Sequence, residues 1–132
     1  MYAVHVQFDA HAESKAWLDD RLNGTDRVGL PWGTLLAFLR LSANVRVLSR
    51  PMPLSDATAV VSAWLELPAT WTPQPTERHD KTLAGLLARE SKGDLVPDAH
   101  LAALAIEHGL ILCSTDRDFA RFEGLRWTDP LR

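Results

Sequence analysis

Two aspartates in the C-terminal third of the chain stand where carboxylates can do chemistry. Asp98 opens a predicted helix over about residues 98–108, and Asp116 follows the apolar run 110–113, which is typical of a strand covered on both faces. Ligands of open α/β sheets collect at the carboxyl ends of strands, and helix N-termini favour negative groups. Two carboxylates in one crevice repel each other and demand a cation. Mg²⁺ fits, because it binds through one or two carboxylates plus substrate phosphate.

Asp118 lies two residues beyond Asp116, within reach of a metal-bound water. An ion here would polarise a phosphodiester, lower the pKa of its bound water and stabilise the leaving oxygen. Each aspartate also has an ordinary structural interpretation. Spacing alone favours a helix cap for Asp98, and it gives equal odds to a turn cap and a ligand for Asp116. For Asp118 it favours an interaction with the helix dipole in the first turn. From the residues alone, the prediction is an α/β domain with a possible carboxylate site.

The remaining reactive residue types predict no second site. We interpret His100 as a surface residue of the predicted helix and His108 as a favourable charge near its end. No His/Cys spacing matches a zinc site. The single cysteine, Cys113, excludes an internal disulfide and suits a reducing cytosol. The sequence has no glycine-rich phosphate loop and no obvious nucleophilic aspartate motif after a strand, which disfavours a phosphatase or a receiver-like domain.

Length and composition predict one globular domain over residues 1–132. Hydrophobic residues make up 46% and charged residues 23% of the chain. The net charge of −3 contrasts with the basic surface usual for nucleic-acid binding, although a carboxylate cluster that holds a cation is compatible with it. No stretch approaches the roughly 18 apolar residues of a membrane span, and the N-terminus does not resemble a signal peptide. We expect a cytoplasmic protein.

Helical patterns alternate with short apolar runs, which predicts a mostly parallel sheet with helices on both sides. The first predicted helix is capped by Asp9 and has Ala12, Ala16, Trp17 and Leu22 on its inner face. A strand at 28–30, a helix opened by Pro31, a helix capped by Ser55 and a short strand within the loop 68–75 follow. The C-terminal half is predicted to contain a helix capped by Thr76, the helix 98–108 stopped by Gly109, the strand 110–113, a helical turn over 116–122 and a strand at 125–127.

Several segments resemble one known family. Residues 95–109, Leu-Val-Pro-Asp-Ala-His-Leu-Ala-Ala-Leu-Ala-Ile-Glu-His-Gly, resemble the third acidic motif of VapC-type PIN domains. Residues 114–119, Ser-Thr-Asp-Arg-Asp-Phe, resemble the fourth motif. The tail 122–131 and the region 30–46 continue the similarity, which covers essentially the whole chain. Its specific part is 95–119.

The resemblance implies a PIN-like three-layer α/β/α fold and a magnesium-dependent endoribonuclease toxin, with Mn²⁺ as a second possible ion. It implies an RNA substrate such as tRNA or rRNA, inhibition by a cognate VapB-type antitoxin, and a homodimer. By this resemblance Asp98 and Asp116 become metal-site carboxylates and Asp118 an auxiliary catalytic one. Ser114 or Thr115 would help to position phosphate or water. As RNA contacts we name the arginines Arg40, Arg46, Arg117 and Arg121, although for each one taken singly an ordinary surface charge is the better interpretation.

Two departures from the family pattern bear on activity. The family's first strand reads Asp-x-Asn, with the aspartate as a principal metal ligand, whereas residues 1–4 match only the end of that motif. We therefore expect a largely truncated first strand. Asp9 is no substitute for the missing aspartate, because it falls beyond the strand, near the first helix. The usual helix glutamate would align near Ala37, and that helix carries no acid. We expect weak or no activity from the chain as given, rescued by an N-terminal extension that restores Asp-x-Asn. The alternative is a catalytically impaired PIN scaffold that binds an antitoxin or RNA.

Overall fold

The computed structural model describes residues 2–4, 11–24, 26–44 and 51–130. The predicted cap Asp9, the candidate RNA contact Arg46 and the end of the C-terminal tail lie outside the described residues. The elements run in the order β1 Tyr2–Val4, α1 His11–Leu22, β2 Val28–Gly29, α2 Trp32–Ser42, α3 Leu54–Glu66, β3 Thr70–Trp71, α4 His79–Leu87, α5 Val96–Glu107, β4 Ile111–Cys113 and β5 Arg126–Thr128, with short 3₁₀ helices at Gly93–Leu95 and Arg117–Arg121.

The five strands form one sheet in the order β3-β2-β1-β4-β5, and every neighbouring pair is parallel. Parallel neighbours need crossover connections, which the intervening helices supply. The first strand is short, as expected, and it is present at the centre of the sheet. Tyr2 pairs with Val28 on one side and with Ile111 on the other. The predicted mostly parallel α/β architecture is confirmed.

Two hydrophobic clusters cover the two faces of the sheet. The first gathers buried residues from α1, α2 and α3, and the second gathers them from α5 and the segment after β4. Strand β4 contributes to both, because Leu112 belongs to the second cluster and Cys113 to the first. Successive side chains of a strand point to opposite faces. The result is the three-layer arrangement in which a buried strand is apolar along its whole length.

Several predicted helix starts are wrong by a few residues. Ser55 lies inside α3, because the helix begins at Leu54 after Pro53. Thr76 precedes α4, which begins at His79, although the Thr76 hydroxyl accepts a hydrogen bond from the N–H of Arg78 at 3.2 Å. Neither helix has a side-chain hydrogen bond from its N-cap residue, which is Pro53 for α3 and Arg78 for α4. The end of α5 is as predicted, since Gly109 has a φ of 66°.

Within the described ranges, no helix is long and apolar enough to cross a lipid bilayer.

Helix α1 is tied to α3 by a hydrogen bond between side chains. The indole N–H of Trp64 donates to a carboxylate oxygen of Asp19 at 2.8 Å, and the Trp64 ring packs on Phe38 with centroids 4.7 Å apart. Trp64 is only 3% exposed. Its substitution by phenylalanine should lower the free energy of unfolding by about 2 kcal/mol, because a bond to a charged acceptor and part of a packed ring are lost. Denaturant unfolding measures this. Trp32→Phe, at a residue that is 47% exposed, should change stability by less than about 0.5 kcal/mol.

Candidate metal centre

Asp98 is placed by a helix that is buried on most of its circumference. Helix α5 begins at Val96, directly after the 3₁₀ helix Gly93–Leu95, with Pro97 in its first turn. Small side chains at Ala99, Ala102, Ala103 and Ala105 are fully buried and let the helix lie close to its neighbours. Asp98 is the third residue of α5 and is half-buried. The first turn of α5 thus carries this carboxylate at a fixed position.

Asp116 is held by hydrogen bonds at the carboxyl end of β4. The N–H of Ser114 donates to the carbonyl oxygen of Thr128 at 3.0 Å, and the buried Ser114 hydroxyl accepts from the N–H of Asp116 at 3.1 Å. One carboxylate oxygen of Asp116 accepts from the N–H of Asp118 at 2.9 Å. These bonds turn the chain into the 3₁₀ helix and bring Asp118 back beside Asp116.

The three carboxylates converge. One oxygen from each of Asp98, Asp116 and Asp118 lies within 4.8 Å of the other two. Burial, together with the negative charges of Asp116 and Asp118, raises the pKa of Asp98 to about 6, while the cation of Arg121 opposes that rise. Like charges this close disfavour joint ionisation unless a cation offsets them.

The donor set fits a hard divalent cation. All three side chains offer oxygen, which is the preference of Mg²⁺ and Mn²⁺, and one of the three is exposed enough to leave space for water and a substrate phosphate. Among the described residues, this is the one group of three or more histidine, cysteine or acidic side chains whose ligand atoms come this close. These three carboxylates are therefore the group of described side chains that could hold a divalent ion.

Comparison with known proteins identifies the family. The model of the PIN domain family matches residues 9–125. The chain belongs to the PIN domain family. It is 47% identical to ribonuclease VapC37 of Mycobacterium tuberculosis over 98% of this chain and 91% of that protein. It is 41% identical to ribonuclease VapC33 of the same species over 100% of this chain and 93% of that protein. The predicted VapC-type resemblance is confirmed.

Solved structures support the same fold for this PIN domain. The structure of VapBC-1 from nontypeable Haemophilus influenzae matches with a TM-score of 0.69 at 14% identity, over 99% of this chain and 98% of that one. The structure of VapBC2 from Rickettsia felis, bound to a DNA fragment from their promoter, matches with a TM-score of 0.66 at 12% identity, over 97% of both chains. At these identities the likeness concerns the fold alone.

The structure of the PIN domain also shows which of the three aspartates has the ordinary structural role that its spacing predicts. Asp98 is not a cap, because Leu95 occupies the N-cap position of α5 and the helix begins two residues before the aspartate. Asp116 does cap the 3₁₀ helix Arg117–Arg121, with the same carboxylate that faces the cluster. Asp118 lies in the first turn of that 3₁₀ helix, as its structural interpretation predicts. For Asp116 and Asp118, the structural role and membership of the cluster coexist.

A second polar cluster was missed by sequence reasoning. A carboxylate oxygen of Glu107 accepts from the N–H of Thr76 at 3.0 Å and also contacts the Thr76 hydroxyl, while the other oxygen contacts Nδ1 of His79. Nε2 of His79 lies 2.9 Å from Nδ1 of His100. The prediction of His100 as a surface residue is wrong, because it is half-buried in this cluster. Burial and the neighbouring His79 lower the pKa of His100, so its neutral form is favoured.

Divalent-ion binding to this PIN domain should depend on pH. Because the pKa of Asp98 is raised to about 6, a proton competes with the ion for this carboxylate below that value. Affinity for Mn²⁺ should be nearly constant from pH 8 to 7 and should then fall by up to tenfold for each further pH unit below about 6. Isothermal titration across this range measures it. An affinity that starts to fall only near pH 4 would contradict the raised pKa.

Proposed function

We propose that this chain is a metal-dependent endoribonuclease toxin that hydrolyses RNA phosphodiester bonds, with Mg²⁺ as the working ion and Mn²⁺ as a substitute. One observation carries the proposal: the carboxylates of Asp98, Asp116 and Asp118 meet at the carboxyl edge of the sheet. The relatives named ribonuclease support the reaction type. The choice of magnesium is supported by the all-oxygen donor set.

Each residue of the site would have a distinct task. Asp98 and Asp116 would hold the ion, and Asp118 would accept a hydrogen bond from a water at its edge. The bound ion would supply a Lewis acid for the phosphodiester and an activated water as nucleophile. Ser114 would act through Asp116, because its buried hydroxyl already accepts that residue's N–H. The Thr115 hydroxyl is buried as well, so neither side chain is placed to touch substrate directly.

The partners follow from the same family. We propose a VapB-type antitoxin as the inhibitor, since the matching solved structures are described as VapBC assemblies. We further propose a homodimer, and an RNA such as tRNA or rRNA as the substrate. Co-expression with a cognate VapB-type antitoxin should restore growth to cells that the chain arrests.

A second candidate function is a scaffold that binds antitoxin or RNA without cutting it. The specific observation in its favour is the small number of acids, since helix α2, Trp32–Ser42, contributes no carboxylate to the cluster. With three carboxylates, the ion would be held less firmly than with four.

One assay separates the two functions. RNA is incubated with the protein in Mg²⁺, in Mg²⁺ with excess EDTA, and with the Asp98→Ala variant in Mg²⁺. The nuclease proposal expects cleavage only in the first reaction. If the RNA remains intact in all three reactions while the protein still binds it, the nuclease proposal is wrong and the scaffold function is supported.

A further inference from the structure

A cavity of about 790 Å³ lies between α4 and the residues at the end of the 3₁₀ helix Arg117–Arg121, and it has no part in the chemistry above. Helix α4 and the residues just after it line one side, from Lys81 to Glu90, and residues 121–124 line the other. Arg121 connects the two places. It lines the cavity, ends the 3₁₀ helix that carries Asp118, and is close enough to Asp98 for its charge to lower that residue's pKa. The cavity therefore shares Arg121 with the 3₁₀ helix that carries Asp118.

The charges of the cavity differ from those of the whole chain. Three cations line it, Lys81, Arg89 and Arg121, against two carboxylates, Glu90 and Glu123. Glu90 and Arg121 lie 3.4 Å apart in an ion pair, so this carboxylate and this cation offset each other until an anion competes for the arginine. The lining thus has an excess of one positive charge on a chain whose net charge is −3.

The spacing of these cations suits an extended polyanion. Lys81 lies on α4 and Arg89 lies two residues beyond its end, so the two cations are eight residues apart in sequence on that side of the cavity. Gly85 lies between them, and a Cβ built there meets no atom within 4 Å. A backbone can therefore approach α4 closely at Gly85, with Lys81 one turn before it and Arg89 four residues after it.

The cations of the cavity can offset the repulsion between the acidic cluster and an RNA substrate. Three carboxylates repel the phosphates of RNA, so a substrate needs cationic contacts outside the cluster to stay in place. We propose that the cavity between α4 and residues 121–124 binds the sugar–phosphate backbone of single-stranded RNA next to the scissile bond, through Lys81, Arg89 and Arg121. This assignment rests on the proposed function, and it adds the place where the substrate strand would bind.

The test compares two added carboxylates on one helix. Gly85→Glu places a negative charge in the middle of the cavity, in open space, and replaces glycine with a better helix former. Ala84→Glu adds the same group at the neighbouring exposed position, which does not line the cavity. Both are made in the Asp98→Asn background, and binding of a short labelled single-stranded RNA in Mg²⁺ is followed by fluorescence anisotropy. We expect roughly tenfold weaker binding for Gly85→Glu and little change for Ala84→Glu.

A salt titration identifies the contact as one to phosphate. Arg89→Gln should lower the slope of log K against log salt by about 0.7, the value for one single-strand phosphate. Arg78→Gln, at an exposed residue at the other end of α4 that does not line the cavity, should leave the slope unchanged. Unaltered RNA affinity in both Gly85→Glu and Arg89→Gln would overturn the assignment. So would loss of antitoxin binding in Gly85→Glu with RNA binding intact, since the cavity would then belong to a protein partner.

Failure of this inference can be told apart from failure of the proposed function. If the wild-type chain does not cleave RNA but Gly85→Glu weakens RNA binding, the cavity assignment stands and the nuclease proposal falls. If Gly85→Glu, with Asp98 retained, cleaves limiting RNA as fast as the wild-type chain, the nuclease proposal stands and the cavity assignment falls.

Discussion

Substitution of Asp98 by asparagine is expected to abolish RNA cleavage and, at the same time, to stabilise the metal-free protein. Loss of a partner that merely orients a metal ligand costs 10–100-fold in affinity or activity. Loss of a ligand in a site with few protein groups should therefore exceed about 100-fold. Cleavage rates at saturating Mg²⁺ measure the first effect. Asp94→Asn, at an exposed acid one turn earlier in the chain, is the matched control and should retain activity.

The stabilising effect of Asp98→Asn follows from the raised pKa. Burial and the charges of Asp116 and Asp118 raise the pKa of Asp98 to about 6, above its ordinary value of 3.8. The folded state therefore binds the proton more tightly than the unfolded state, and this stabilisation is complete below pH 3.8 and lost as pH rises through 6. At pH 8 in EDTA the asparagine variant should melt a few degrees higher than the wild-type protein. A lower melting temperature at pH 8 would mean that the ionised carboxylate is not in a repulsive cluster.

Substitution of Glu107 by alanine is expected to give the largest loss of stability among the changes considered, about 3 kcal/mol. The Glu107 side chain is only 1% exposed, and it links the amino end of α4 to the carboxyl end of α5. Its removal leaves the Thr76 N–H, the Thr76 hydroxyl and the His79 ring without an acceptor. Chemical denaturation measures the change. Glu77→Ala, at an exposed acid next to Thr76, should alter stability by less than about 0.5 kcal/mol.

The contribution of Glu107 to the free energy of unfolding should depend on pH in the acid range. Burial raises its pKa, but hydrogen bonds from Thr76 and the contact with His79 outweigh burial and hold the pKa below its usual value of 4.5. The ionised carboxylate thus contributes stability that is complete above pH 4.5 and is lost as pH falls further. The difference in unfolding free energy between the wild-type protein and Glu107→Gln should shrink below pH 4.5. A difference that grows on acidification would contradict the assigned bonds.

The sequence was most informative where local chemistry determines local structure. Pro31 before an apolar helix, Gly109 after one and the apolar run 110–113 each predicted an element that the structure contains. Interior faces were harder to predict. The prediction of Ala16 as an inward residue of α1 is wrong, since Ala16 is exposed, whereas Leu18, two residues further on, is fully buried. A single-residue shift around a helix changes the face by about 100°, and only the packed neighbours decide it.

The candidate site was predictable as residue types but not as a geometry. Asp98 and Asp116 are 18 positions apart, and they meet because α5 and β4 pack with the helix N-terminus and the strand's carboxyl end at the same edge. The contribution of Arg121 to that edge was predicted only as a possible RNA contact. The contacts of Glu107 with Thr76 and His79 span 31 and 28 residues. No local pattern encodes partners at that separation, because tertiary packing alone brings them together.

We propose above all that Asp98 and Asp116 hold one divalent ion, with Asp118 beside it. Isothermal titration of Mn²⁺ at pH 7.5 into the wild-type protein, Asp98→Asn, Asp116→Asn and Asp94→Asn tests it most directly. The wild-type protein and Asp94→Asn should each bind one ion per chain, and both site variants should lose that binding. Equal stoichiometry and affinity in all four proteins would show that the ion binds elsewhere and that the cluster is not a metal centre.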